Sequence, residues 1–130
     1  MSLGLHEKLL IDYGLYVFLQ SYIDADYIWI PAGVLDGHRA TTNKETWKLV
    51  TPYGPKTYWV GQARWVVSHN IWTTSGVSAG TDGMVAWLAH LFPDNVVKHV
   101  INSMEYNREE NSSNDPFSKI YDVQDVPPTS

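Results

Sequence analysis

The pentapeptide Gly76-Val77-Ser78-Ala79-Gly80 has the G-x-S-x-G spacing of a serine nucleophile elbow, with a β-type run before it and a helical pattern after it. In a hydrolase reading Ser78 attacks, Asp94 orients and His99 is the base, in the chain order such enzymes use. The alternative is structural. The glycines permit a tight strand-to-helix turn, and the N–H groups that open the helix bind an anion or are capped by Ser78 and Asp82. We favour the structural alternative, because 130 residues are few for an α/β hydrolase and Asp94 and His99 share one helix start. A second constellation is Thr41-Thr42-Asn43, where a strand gives way to a helix, together with Thr73-Thr74-Ser75-Gly76 at another such edge. Ligands of open α/β sheets bind at those edges, so two polar strand ends can form one crevice. Capping is the alternative role for the same residues.

Other chemistry is excluded by composition. There is no cysteine, which removes disulfides, thiolate metal sites and cysteine catalysis together. His6, His38, His69, His90 and His99 include no i, i+4 pair, so we expect no metal site. No P-loop or G-x-G-x-x-G is present, and no cofactor is expected. The net charge is −5 with scattered basic residues, which argues against nucleic acid. No apolar stretch reaches 18 residues, so no membrane partner is expected. The first seven residues lack the basic and apolar regions of a signal peptide. The sequon Asn111-Ser112-Ser113 then reads as a solvated loop, and the expected location is cytoplasmic.

The elements that must position these residues follow from apolar spacing. Leu9, Leu10, Tyr13, Tyr16 and Val17 predict a helix over residues 5–23, weakened by Gly14. Ala25–Ile30 is a β-type run, and Ala32–Gly37 a turn-rich connection. Arg39–Thr42 is a short strand, after which Asn43 caps a helix reaching Thr51 that Pro52-Tyr53-Gly54-Pro55 breaks. Ala63–Val67 and Ile71–Thr74 form a hairpin about Ser68-His69-Asn70. Met84, Trp87, Leu88 and Leu91 mark an amphipathic helix, and Val97, Val100, Ile101 and Met104 another opened by Pro93-Asp94-Asn95. Residues 108–114 read as a loop and 126–130 as a frayed tail. Strands alternating with helices indicate an α/β protein.

Two long segments carry a family resemblance. Ala32–Gly37 followed by Arg39–Lys44 resembles the AGxLDGxxATTxx segment of ThiJ/PfpI proteins, and Asn70–Asp82 resembles their TSxGVSAGxD segment. Met104-Glu105-Tyr106 and Asp115-Pro116-Phe117 are similar to the tail of fungal-type members. The resemblance spans residues 23–117. It implies a flavodoxin-like three-layer sandwich of the class I glutamine-amidotransferase type, a pocket at the C-terminal strand edges and frequent dimerisation. Members include isonitrile hydratases, glyoxalase-like enzymes and proteases.

The chain departs from the family pattern. In relatives, a strand like Asp26–Ile30 runs into a Cys-Thr-Gly turn and a helix before the AGxLDG segment. Here Ile30-Pro31 meets Ala32-Gly33 directly, a difference of about ten residues, or two to three helical turns. The early βα units, with the partner acid, are absent, and Asn43 stands where many relatives carry histidine.

The expectation is therefore a partial α/β, flavodoxin-like domain over residues 1–117 with a polar tail over 118–130. It lacks cysteine catalysis and keeps a binding or self-association role as a homo-oligomer. Thr41, Thr42, Asn43, Thr74, Ser75, Gly76, Ser78 and Asp82 are the pocket candidates for a small-molecule ligand. A hydrolase or hydratase acting through Ser78 or a polar crevice near Thr42 and Ser75 is the alternative. Trp29, Trp47, Trp59, Trp65 and Trp72 are expected on the self-associating surface.

Overall fold

The computed structural model describes residues 32–129, together with the backbone of residues 8–11 and 14–20. The expected strand at 25–30 and the junction between Ile30 and Ala32 lie outside the described residues.

The chain is mixed α/β. Strands β1 (Lys8–Ile11) and β2 (Gly14–Gln20) pair antiparallel, with Leu9 opposite Tyr16. They take the place of the helix expected over 5–23. The reason is legible in composition: Gly14-Leu15-Tyr16-Val17-Phe18-Leu19 is a continuous apolar run rich in aromatic and branched side chains. Such a run suits a strand flanked on both edges better than a one-faced helix. β2 also pairs in parallel with β6 (Ile71–Thr74), Phe18 opposite Trp72. β6 pairs antiparallel with β5 (Trp65–Ser68), so the four strands run β1-β2-β6-β5. The β5–β6 hairpin turns at His69, whose φ of 54° is in the left-handed region.

A second, two-stranded parallel sheet joins β3 (Arg39–Ala40) to β4 (Tyr58–Trp59). Between them lie α1 (Trp47–Val50) and a 3-10 turn (Thr51–Tyr53), shorter than the helix expected to start at Asn43. Asn43 instead closes a local turn, its Oδ1 accepting from Glu45 N at 2.9 Å. Helices α2 (Val77–Leu91) and α3 (Asp94–Ser103) follow the sequence pattern, and α4 (Pro116–Ile120) begins at an Asp115 cap. No helix among the described residues is long and apolar enough to cross a membrane.

All four residues of β6 are buried, because both faces of this strand are covered. Successive side chains point to opposite faces. Trp72 joins Trp65 and Trp87 under α2, while Ile71 joins Leu35, Ala40, Trp47, Val50, Trp59 and Val123 on the other side. Five tryptophans thus fill the core. Trp47, Trp59, Trp65 and Trp72, expected at an associating surface, are between 1% and 7% exposed. Bulky rings close a small core with few residues, which outweighs leaving them in water. Trp29 lies outside the described residues.

The tail is also tied down rather than frayed. Trp59 and Val126 exchange two backbone hydrogen bonds of 2.9 Å, and Thr129 N donates to Pro55 O at 2.9 Å.

Gly83 marks the closest approach of α2 to the sheet. A Cβ there would lie 2.8 Å from Thr74 Cγ2 and 3.3 Å from Trp65 Cβ, both on buried side chains. Alanine in mid-helix gains up to about 1 kcal/mol over glycine, whereas overpacking costs about 1–3 kcal/mol. We expect the clash to win, so that Gly83→Ala lowers the urea midpoint. A raised midpoint would refute this account of the packing.

Candidate functional site

β3 and β6 end side by side. Thr41 N donates to Thr73 Oγ1 at 3.0 Å, and Ser75 N to Arg64 O at 2.8 Å. The residues that follow each strand open on one cavity of about 570 Å³, whose lining includes Asn43, Lys44, Ser75, Gly76, Ser78 and Tyr106. Four of the sequence-derived candidates therefore come together there: Asn43, Ser75, Gly76 and Ser78. The others are held behind the wall. Thr41 Oγ1 donates to Val60 O at 2.9 Å, and Thr42 gives its carbonyl to Lys44. Thr74 is fully buried, its hydroxyl without a hydrogen-bond partner among the described residues.

Lys44, which sequence reasoning passed over, is the centre of the wall and is 3% exposed. Its Nζ donates to Ala63 O (2.8 Å), Thr41 Oγ1 (2.9 Å), Thr42 O (3.0 Å) and Ser75 Oγ (3.1 Å). Asp115 Oδ2 lies 3.2 Å away and completes an ion pair. The ammonium also sits 5.1 Å from the Trp47 ring centre. Burial dominates its titration and pulls it down to about 8, against the pull of Asp115 in the other direction.

A second buried pair stands beside the first. Arg64 Nη2 donates to Asp82 Oδ2 in a short contact. The other Asp82 oxygen accepts from Tyr106 Oη at 2.8 Å and from Glu109 N at 2.9 Å. Desolvation, and then the bond to Asp82, push the Tyr106 phenol up to about 12. Glu109 is held below its ordinary value by the N–H of Asn111 and then by Asn114. Both cations of the cavity are thus neutralised from behind by carboxylates.

Helix α2 starts at Gly76, its N-cap, without a side-chain cap. This corrects the expected capping by Ser78 and Asp82. Ser78 is exposed on the first helical turn, and Asp82 faces Arg64 instead. The first intrahelical bond is Gly80 N to Gly76 O at 2.8 Å, so the preceding N–H groups have no acceptor within the helix. The Ser78–Asp94–His99 triad is not assembled. Asp94 begins the next helix beyond the far end of α2, about 20 Å along its axis from Ser78. No hydrogen bond reaches the Ser78 hydroxyl among the described residues, and His99 is exposed. Among the described residues no cluster of three His, Asp or Glu could hold a metal ion.

The signals for the missed residues were weak but present. Asp115-Pro116 is a cap followed by proline at the first helical position, which marks a helix start. Nothing local says that Asp115 meets Lys44. No family model matches the chain, and a search of curated proteins finds no match.

Burial of Lys44 has a consequence for stability. Its folded pKa of about 8 lies below the ordinary 10.5, so the unfolded chain binds more protons between these values and stability rises with pH there. The increase is roughly 2 kcal/mol from pH 8 to 10, before Tyr106, with its raised pKa, begins to oppose it. Urea denaturation across that range should show the rise in the native chain and lose it in Lys44→Arg, which keeps its charge. Equal slopes in both proteins would contradict the assignment.

Proposed function

We propose that this chain is a ThiJ/PfpI-like domain, flavodoxin-like in plan, that binds a small ligand and does not perform the family's cysteine chemistry. One observation carries this reading: a cavity at the joined ends of β3 and β6 whose two buried cations are each already paired with a carboxylate. Such a wall has no net positive charge to offer a phosphate. It presents hydroxyl, amide and aromatic groups, which suit a neutral polar compound. The sequence motifs at Ala32–Lys44 and Asn70–Asp82 support the family assignment, and the absence of any thiol removes the nucleophile.

Self-association belongs to the same reading, on a different surface from the tryptophans. Val77 is 66% exposed, and Phe117 and Tyr121, also exposed, line the same cavity. Exposed apolar side chains lining one opening favour a partner surface. Dimers at micromolar concentration, weakened by Val77→Glu, are expected by light scattering; a monomer throughout that range contradicts the association.

A thermal-shift panel of neutral carbonyl and hydroxyl compounds tests the pocket. A ligand at a hundred times its Kd stabilises by about 2.7 kcal/mol. Failure of every compound to raise Tm would reject the binding role. The chain should show no isonitrile hydratase, glyoxalase or peptidase turnover above a heat-denatured control, and robust turnover would overturn the reading.

Ser78 provides a further check. Its exposed hydroxyl, without a partner among the described residues, should make Ser78→Ala nearly neutral, within about 0.5 kcal/mol. A lost cap would instead cost about 1 kcal/mol. Urea titration separates the two.

A further inference from the structure

Ser75, and not Ser78, is the serine that stands at the strand-to-helix turn. It directly follows β6, its N–H is fixed by Arg64 O at 2.8 Å, and α2 begins two residues later. Its Oγ lies 3.1 Å from Lys44 Nζ, and both residues line the cavity. Next to them, the first turn of α2, whose opening N–H groups have no acceptor within the helix, lines the same cavity. A hydroxyl paired with a desolvated amine, beside unengaged N–H donors, is the arrangement of a serine–lysine acyl-transfer site.

We propose that Ser75 and Lys44 form a nucleophile–base pair that hydrolyses small uncharged carboxylic esters in this cavity. The cycle balances with water alone. Neutral Lys44 Nζ takes the Ser75 Oγ proton as Oγ bonds to the acyl carbon. The carbon–oxygen bond to the alcohol breaks, and the leaving oxygen takes the proton from Lys44. Water then attacks the acyl-serine, giving its proton to Lys44, which returns it to Ser75 Oγ as the acid leaves. Developing charge on the acyl oxygen is met by the N–H groups at the start of α2.

Lys44 must be neutral to act, and burial works toward that. Asp115 opposes it by holding the proton, and Arg64 assists. Asp82, Glu45, Tyr106 and Tyr121 are the other ionisable groups near the cavity. Activity should therefore climb about tenfold per pH unit below about 8 and level above it.

The proposal rests on the cavity admitting small neutral compounds, so the test separates the two. The 130-residue chain is treated with p-nitrophenyl acetate and with a fluorophosphonate, and adducts are mapped by peptide mass spectrometry. The expected result is an adduct on Ser75 in the native chain. Ser75→Ala should lose it, and Lys44→Arg, which retains the pair with Asp115, should slow it at least a hundredfold. Circular dichroism confirms that each variant is folded. No adduct on Ser75 in the folded native chain, an adduct on Ser78 instead, or an unchanged rate in Lys44→Arg would overturn the assignment. Ligand-induced stabilisation of Ser75→Ala in the same panel would show that the cavity binds even where the dyad fails.

Discussion

One buried ammonium organises this molecule. Lys44 Nζ is surrounded by five oxygens that come from the end of β3, the approach to β5, the end of β6 and the cap of α4. An isolated charge in such a place would cost far more than the protein's whole stability margin. The surrounding segments therefore cannot choose their positions independently. Each must deliver its oxygen, and the wall of the cavity is the arrangement that satisfies them all. A buried ion pair of this kind adds little net stability over an apolar substitute, while its geometry restricts the alternatives. Its place is here at the end of the sheet that opens on the cavity.

The neighbouring pair extends the same logic to the C-terminal third. Asp82, on α2, holds Arg64 with one oxygen and Tyr106 and the Glu109 N–H with the other. That ties the irregular chain after α3 to the centre of the molecule, where few apolar contacts would hold it. Further along, Arg64 N donates to Ser112 O at 2.6 Å, and Gln62 Nε2 donates to Ser113 O and Asp115 O. The loop over 108–114 is irregular in backbone but specified by hydrogen bonds, as a segment without its own core contacts must be. Asp115 is delivered to Lys44 by this route.

The core beneath follows from the tryptophans. With residues 71 and 72 facing opposite ways, β6 presents one ring and one branched chain to two separate clusters. Trp47 and Trp59 meet edge to face at 6.3 Å on one side, and Trp65, Trp72 and Trp87 pack under α2 on the other. Rings this large fill both layers with few residues. Part of the apolar surface left over lies at the cavity, where Val77, Phe117 and Tyr121 are exposed.

The sequence by itself determined whatever depends on composition or short-range spacing. It carries no thiol, so cysteine chemistry was settled before any fold was known. The helical period of Met84, Trp87, Leu88 and Leu91 fixed α2, and Ser68-His69-Asn70 fixed the hairpin before it. It also placed Asn43, Ser75 and Gly76 at strand ends, because a polar residue after a strand pattern is a local signal. Tertiary structure decided the rest. Residues 5–23 read as a helical stripe by spacing although the unbroken apolar run over 14–19 suits a strand, and pairing of β2 with β1 and β6 settles that conflict. The tryptophans were equally compatible with core or surface until packing chose the core. Ser78 had the better motif, but Ser75 received the lysine, since which hydroxyl meets Lys44 depends on how β3 and β6 lie together. The ion pair of Lys44 with Asp115 was hidden for the same reason. Coulomb attraction acts through space, and chain order does not reveal which distant charges folding will bring within 3.2 Å.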